Sequence, residues 1–387
     1  MRFPEFSGEW NKYTINDLAT VVGGGTPDTT VKSYWGGDIQ WFTPSEIGKN
    51  KYVDFSKRTI TRDGLDNSSA KLLPLHTILL SSRATVGECS IASNECTTNQ
   101  GFQSLIAKQC NINIDFLYYL IQTKKKDLIR NACGSTFLEI SANEIRKIKV
   151  AVPVQNEQEQ IAKLLSLIDE RIATQNKIIE KLQSLIKGLV DELMTVLLKG
   201  KLYPFSSFYI KAGEGGTPTT SVVEYYTEGT IPFIKIEDLS CKYLTNNKDF
   251  ITELGMQKSS AWLIPSKSVI YSNGATIGAI SINEYPVCTK QGILGIVPNT
   301  NINVEYLYLL MSSSYFSKEI SRIITEGTMK TAYLKDINHI KCPLPSMAQQ
   351  KNITNLTSSI EEKLSIEQEL LRFLNLQKQY LLHMIFI

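Results

Sequence analysis

The sequence predicts an α+β protein built twice over. Two tandem domains, each a curved β-sheet with helices, are each followed by a long helix, and the two helices are expected to pack as an antiparallel coiled coil with pseudo-two-fold symmetry. Two observations predict this: stretches that recur at one constant offset, and two long runs with apolar residues at alternating steps of four and three. A third observation, the lack of any catalytic motif, bears on what such a chain can do.

The repeat is sought first because missing it misassigns the whole fold. Gly24-Gly25-Thr26-Pro27 returns 191 residues later as Gly215-Gly216-Thr217-Pro218. At the same offset, the stretch from Ile60 to Pro74 returns as Ile251 to Pro265, sharing the frame I-T-x-x-G-x-x-x-S-S-A-x-L-x-P. Ala84-Thr85-Val86-Gly87 returns as Ala275-Thr276-Ile277-Gly278, and Gln100-Gly101 as Gln291-Gly292. Within each copy, a glycine-rich turn leads to β-rich runs such as Thr77-Ile78-Leu79-Leu80-Ser81 and Ser268-Val269-Ile270-Tyr271-Ser272. Helical patterns follow at 114–121 and 304–310.

Each copy then ends in a proline-marked helix start. Asn156 and Glu159 can cap the first helix after Pro153, and Ser346 with Gln349 forms a capping box after Pro345. The first helix carries Ile161, Leu165, Ile168, Ile172, Gln175, Ile179, Leu182, Ile186, Leu189, Leu193 and Val196 on one seam. Lys199-Gly200 and Pro204 end it. The second carries Ile353, Ile360, Leu364, Leu371, Leu374, Leu381 and Ile385, interrupted by Thr357, Glu367 and Lys378. Gln175 and Glu367 occupy equivalent positions, and a polar residue in such a seam either fixes register or sits at a solvated edge. The expected division is 1–152 and 201–344 for the domains, with helices over 153–200 and 345–387.

Composition sets the outer bounds. With 42% hydrophobic and 20% charged residues the chain reads as globular rather than disordered. No apolar run reaches the ~18–20 residues a membrane span needs, and Met1 to Phe6 holds no apolar leader core. Seven cysteines (Cys89, Cys96, Cys110, Cys133, Cys241, Cys288, Cys342), an odd number without a C-x-x-C pair, suit reduced thiols and a cytoplasmic location. The net charge of +3 neither announces nor excludes a nucleic-acid partner.

Taken together, these residues resemble the type I restriction–modification specificity-subunit family, over nearly the whole chain. The resemblance rests on Arg2-Phe3-Pro4-Glu5-Phe6-Ser7-Gly8-Glu9-Trp10, both G-G-T-P segments, Arg83-Ala84-Thr85-Val86-Gly87 and Asn99-Gln100-Gly101-Phe102. Pro153, Glu157, Gln158 and Ile161, and the ending Tyr380 to Ile387, complete it. It implies two target-recognition domains reading the halves of a bipartite, asymmetric target on double-stranded DNA. It further implies two methyltransferase subunits and two restriction subunits as partners, without a membrane. S-adenosylmethionine, ATP and magnesium would be used by those partners, with no cofactor or metal in this chain. One departure stands out: Glu157-Gln158 in the first copy is Gln349-Gln350 in the second, so a charged contact there is expected to be asymmetric.

A search for chemistry agrees with a non-catalytic subunit. Gly48-Lys49-Asn50 lacks the spacing of a phosphate-cradling loop, and no Pro-Pro exists for an adenine-methyltransferase tetrad. His76, His339 and His383 show no metal-ligand spacing. Gly23-Gly24-Gly25 reads as a tight turn, and Lys124-Lys125-Lys126 as a solvated helix face or a phosphate contact.

The duplication also nominates the DNA-reading residues. Positions shared by both copies should build the fold; positions that differ within the shared frame can tell two half-sites apart. Arg62 faces Glu253, Asp66-Asn67 face Gln257-Lys258, and Lys71 faces Trp262; Ser82-Arg83 face Asn273-Gly274, and Asn99 faces Lys290. Arg and Lys suit guanine, Asn and Gln adenine, Asp and Glu cytosine, while cations also hold phosphates. The alternative for each is surface drift between duplicated domains. Two other functions stay open on sequence alone: a stand-alone DNA-acting enzyme with a degenerate site, and a coiled-coil scaffold that binds protein only.

Overall fold

A strand as apolar as Ile78-Leu79-Leu80 must be covered on both faces. The structure, a computed structural model, buries all three completely. It describes residues 3–108, 112–134, 138–324 and 330–386, so Arg2, Cys110 and Ile387 lie outside it. The chain divides into two units, Met1–Asn176 with Leu370–Ile387, and Lys177–Glu369.

In the first unit, β1 (Asn11–Thr14), β2 (Ala19–Gly23), β3 (Trp35–Phe42), β4 (Tyr52–Val53) and β5 (Arg58–Ile60) are followed by β6 (Ile78–Leu80), β7 (Cys89–Ala92), β8 (Cys96–Thr98), β9 (Gln103–Ala107) and β10 (Lys149–Val152). They form a five-stranded sheet in the order β2-β9-β6-β7-β4, a three-stranded sheet β5-β3-β8, and the antiparallel pair β1-β10. On one side of the large sheet Ile78, Leu80, Ile91 and Leu105 pack on Phe116, Tyr119 and Leu120 of the helix Ile114–Thr123. On the other, Leu79 and Ala92 pack with Phe42, Leu73 and Phe102.

The second unit repeats this element for element. Its strands are β11 (Leu202–Pro204), β12 (Tyr209–Glu214), β13 (Ile231–Ile234), β14 (Tyr243–Leu244), β15 (Asp249–Ile251), β16 (Val269–Ser272), β17 (Ile280–Asn283), β18 (Cys288–Thr289), β19 (Ile293–Pro298) and β20 (Lys341–Pro343). The sheets are β12-β19-β16-β17-β14, β15-β13-β18 and β11-β20. The recurring sequence is therefore a recurring topology, and the α+β class with one long helix after each domain stands.

The long helices run over Gln155–Leu197 and Met347–Ile385. Ser346 caps the second as expected: its backbone N–H donates to Gln349 Oε1 at 3.0 Å and its hydroxyl accepts from Gln349 N at 3.4 Å. Asn156 does not cap the first. That helix already starts at Gln155, because Val154 O accepts from the N–H groups of Glu157 and Gln158. Within the first unit, Ile161, Ala162 and Leu165 near the start of one helix share a core with Leu381, Leu382 and Ile385 near the end of the other. Within the second, Ile186, Val190 and Met194 near the end of the first helix share a core with Ile353 near the start of the second. Each pairing is antiparallel.

The seam is polar where the sequence broke it, yet buried. Gln175 is 5% exposed, Thr357 0% and Glu367 7%. Glu367 pairs with Lys363 at 2.5 Å, and Lys378 with Asp169 at 2.6 Å. The expected seam fails only at its end: Val196 is 62% exposed and Leu193 half-buried, while Val190 (4%) and Met194 (1%) take the core positions. A straight helix drifts ~20° per heptad from a strict seven-residue repeat, and the last turns face Phe205, Tyr306 and Phe316 of the second domain.

Six described cysteines are free, with Cys133 and Cys241 exposed. Burial pushes the thiols of Cys89, Cys96 and Cys342 up to about 12 and that of Cys288 to about 11. Alkylation of the native protein near pH 8 is therefore expected to modify Cys133 and Cys241 and to spare these four until denaturant is added. Mass spectrometry that finds Cys89 labelled in the native state would contradict the core assignment. Among the described residues, no helix is long and apolar enough to cross a membrane.

Candidate nucleic-acid interface

The G-G-T-P segments turn out to be sites of close approach rather than the expected tight turns. Neither glycine of either pair is among those with positive φ. A Cβ on Gly24 would lie 2.1 Å from Asn99 O, and one on Gly25 only 2.3 Å from Ala70 N. In the second copy, Gly215 would meet Thr289 O at 2.1 Å and Gly216 would meet Ser260 Oγ at 2.2 Å. The segment is threaded between the S-S-A stretch and the end of β8 or β18. This brings the neighbourhoods of Lys71 and Asn99 together, and Ser82 N donating to Gly101 O adds that of Arg83.

Several other shared positions of the frame are architectural, whereas Leu72 and Leu263 are 41% and 49% exposed. Ile60 and Ile251 are fully buried. Thr61 and Thr252 cap short helices by accepting from Gly64 N and Gly255 N, each at 3.1 Å. Ser68 and Ser259 accept from the N–H groups of Ala70 and Ala261, each at 3.2 Å. His76 and Lys267, again 191 apart, both turn in the left-handed region, at φ 66° and 60°. That accounts for His76 without chemistry; His339 and His383 are exposed. Among the described residues no group of three or more His, Cys, Asp or Glu side chains is placed to hold a metal.

The residues that differ between copies divide into two kinds. Arg62, Asp66, Asn67, Lys71 and Arg83, and Glu253, Gln257, Lys258 and Lys290, are exposed around these segments. Arg62 pairs with Asp66 at 3.3 Å, and Asn67 Nδ2 donates to Asp63 O at 2.9 Å. Asn99 is half-buried, its Oδ1 accepting from Gly101 N at 2.9 Å. Ser82 and Asn273 depart from the expectation. They are 0% and 1% exposed, and their backbones hold the segments at Ile140 and Ala332 against the sheet. Side chains facing the interior do not contact DNA; these two positions tie the fold. Trp262, opposite Lys71 in the comparison, is half-buried over Gly213 and Gly295, with Lys211 Nζ 4.1 Å from its ring centroid.

The loop bearing Arg83 is strained in the first copy only. Ala84 has φ 63°, and Thr85 N donates to Arg83 O at 2.7 Å, whereas Ala275 has no such conformation. A residue held there costs about 1–3 kcal/mol; Arg83 beside it is exposed, 3.7 Å from Glu139. The Lys124-Lys125-Lys126 run is partly occupied otherwise: Lys125 pairs with Glu88.

Sequence reasoning missed two features. Lys51 donates to Ser166 at 2.7 Å and pairs with Asp115 at 2.9 Å, while Lys242 pairs with Glu361 at 2.5 Å and Glu305 at 3.6 Å. Both lysines are nearly buried and link a domain to a long helix. Arg58 is the other. It stacks on Trp35, a contact legible only once strand register is known. The Glu157–Gln349 asymmetry is also visible: Glu157 is fully buried and accepts from Trp10 Nε1 at 3.3 Å, whereas Gln349 is exposed and caps its own helix.

Two copies of one module share the residues that hold the fold and carry different exposed polar side chains around a common segment, which defines a duplicated protein whose copies present different surface chemistry. The chain belongs to the type I restriction–modification DNA specificity family, whose domain model matches residues 7–184 and 208–375. It is 29% identical over 383 residues to the type I restriction enzyme MjaIX specificity subunit of Methanocaldococcus jannaschii, covering 92% of this chain and 88% of that one. It is also 29% identical over 176 residues to the EcoR124I/EcoR124II specificity subunit of Escherichia coli, covering 44% and 43%. The fold is similar to the S subunit of the type I system of M. genitalium, with TM-score 0.55 at 19% identity over 100% and 99% of the chains. A structure reported for complex assembly of the type I R-M system is similar too, with TM-score 0.57 at 14% identity over 99% and 98%. As a member of this family the chain is a DNA-sequence-recognition subunit, not a catalytic one, that works within a restriction–modification complex.

Proposed function

We propose that the chain reads a bipartite, asymmetric target on double-stranded DNA, one half by residues 1–152 and the other by 201–344, and directs adenine methylation and restriction by its partners. Those partners are two methyltransferase and two restriction subunits, which supply the S-adenosylmethionine, ATP and magnesium chemistry in the cytoplasm. The helices over 153–200 and 345–387 space the half-sites.

The observation carrying this reading is that Ile60 and Ile251, Gly64 and Gly255, and the closely packed G-G-T-P glycines are alike in both copies and hold the fold, while Arg62, Lys71, Glu253, Gln257 and Lys290 within or beside the frame are exposed and differ. Duplicated domains that kept one fold and diverged at polar surface positions suit two half-sites of different sequence. The full chain alone is expected to bind DNA weakly, with affinity falling steeply as salt rises, because phosphate contacts release counterions. It is expected to transfer no methyl group. Filter binding across a salt series and a methyl-transfer assay check both. Salt-independent or absent binding would favour a protein-only scaffold, and methyl transfer by the isolated chain would make it an enzyme.

A further inference from the structure

At one register position the two recognition domains carry opposite charges in different states. In the first, Arg58 on β5 lies directly across from Trp41 on β3. In the second, Asp249 on β15 lies across from Phe233 on β13. Cross-strand partners share a face of the sheet, so each charged residue is the register neighbour of an aromatic one. Asp249 is neutralised by Lys235 at 2.8 Å. Arg58 takes part in no ion pair among the described residues; its guanidinium lies 3.6 Å from the Trp35 ring centroid and 5.5 Å from that of Trp41.

That arrangement is held from below. Trp35 and Trp41 meet edge to face at 5.0 Å. The Trp41 indole donates to Gly25 O at 2.9 Å and the Trp35 indole to Asp28 O at 3.1 Å, so the rings are fixed to the G-G-T-P segment of the candidate interface and to the residue that follows it. Trp41 is 4% exposed while Arg58 is exposed. An exposed arginine ordinarily loses rotamer freedom on binding. One stacked on a fixed ring has its planar fork of donors set in advance, and the fork matches the paired acceptors O6 and N7 on the major-groove edge of guanine.

We propose, resting on the DNA-reading function above, that Arg58 is a specificity-determining residue of the first recognition domain. It reads a guanine in the first half-site from a guanidinium pre-set by Trp35 and Trp41. The second domain has no counterpart, since Asp249 occupies the position and is already paired.

The test uses the full chain and a library of randomised DNA duplexes, with the bound fraction sequenced for wild type, Arg58→Ala and Arg58→Lys. Wild type should enrich a two-part motif with a guanine preference in one half. Arg58→Ala should lose that preference by about ten- to a hundredfold, with the remaining columns and the other half unchanged. Arg58→Lys keeps the charge but not the fork or the stacking, and should lose most of the preference too; circular dichroism and melting should show both variants folded. An unchanged motif overturns the assignment. So does uniform weakening across sequences with the salt slope reduced by about one, which marks a phosphate contact. Failure of the wild-type chain to enrich any motif defeats the DNA-reading function itself, a result distinct from a motif that Arg58→Ala leaves intact.

Discussion

Gly25→Ala is expected to cost the first recognition domain at least about 3 kcal/mol, the upper end of what overpacking does, because the added methyl meets backbone rather than a yielding side chain. The new Cβ would stand 2.3 Å from Ala70 N and 2.4 Å from Ser69 C, with Ser69 Oγ equally near. Gly24 on its other side is closed in by Asn99 O and Thr98 O, so the segment cannot slide away from the clash. Against a domain stability of about 5–15 kcal/mol, such a loss shifts a urea midpoint far enough to read without ambiguity. Gly188→Ala is the counterpart control. It is exposed inside the first long helix, nine residues before its end, with nothing within 4 Å, and it should be neutral or stabilising by up to ~1 kcal/mol. A Gly25→Ala protein with wild-type stability would show that the three segments do not meet so closely. If that stable protein had also lost DNA binding, the glycines would be lining a phosphate rather than packing.

What was legible in the sequence follows from how each feature is encoded. The duplication and the heptad seams are written in local spacing. They gave the α+β class, the double domain and the antiparallel helices, and most seam residues, from Ile161 through Ile179 and from Ile353 through Leu374, are buried or half-buried. The drift at Val196 was not legible, since a seven-residue template has no way to say when a helix stops facing another helix and starts facing a sheet. Ser82 and Asn273 misled because a polar difference between copies looks the same whether the side chain faces solvent or anchors a loop. Arg58 was missed for a related reason. Its partner Trp41 lies 17 positions earlier in the chain and meets it only through the register of β3 with β5. Its replacement by Asp249 falls just outside the recurring frame that drew attention to Arg62 and Lys71.

Gln350→Leu is expected to destabilise the second unit by about 3–6 kcal/mol, although leucine nearly matches glutamine in volume. Gln350 is fully buried at the start of the second long helix. Its Oε1 accepts from Asn303 N at 2.7 Å, and its Nε2 donates to Asn301 O at 3.0 Å and to Pro345 O at 2.9 Å. Asn303 in turn caps the helix Val304–Ser312, accepting from Glu305 N and Tyr306 N at 2.9 and 3.1 Å. One amide therefore joins the long helix to the helix that covers the sheet. Leucine leaves the Asn303 N–H and the carbonyls of Asn301 and Pro345, all partly buried, without that partner, at about 1–3 kcal/mol for each group that water does not reach. Gln350→Glu keeps the acceptor for Asn303 but sets a carboxylate oxygen against two carbonyls, so it should be no better tolerated. Gln158 makes the matching junction in the first unit, with Asn113 N donating to its Oε1 at 2.9 Å and its Nε2 donating to Pro153 O at 3.0 Å. The two substitutions are therefore expected to act on different halves: native-state hydrogen exchange should show Gln350→Leu loosening the helix Val304–Ser312 and Gln158→Leu loosening Ile114–Thr123. Stability within 1 kcal/mol of wild type for Gln350→Leu, or equal loosening of both helices by either change, would show that the amide is not what joins each domain to its helix.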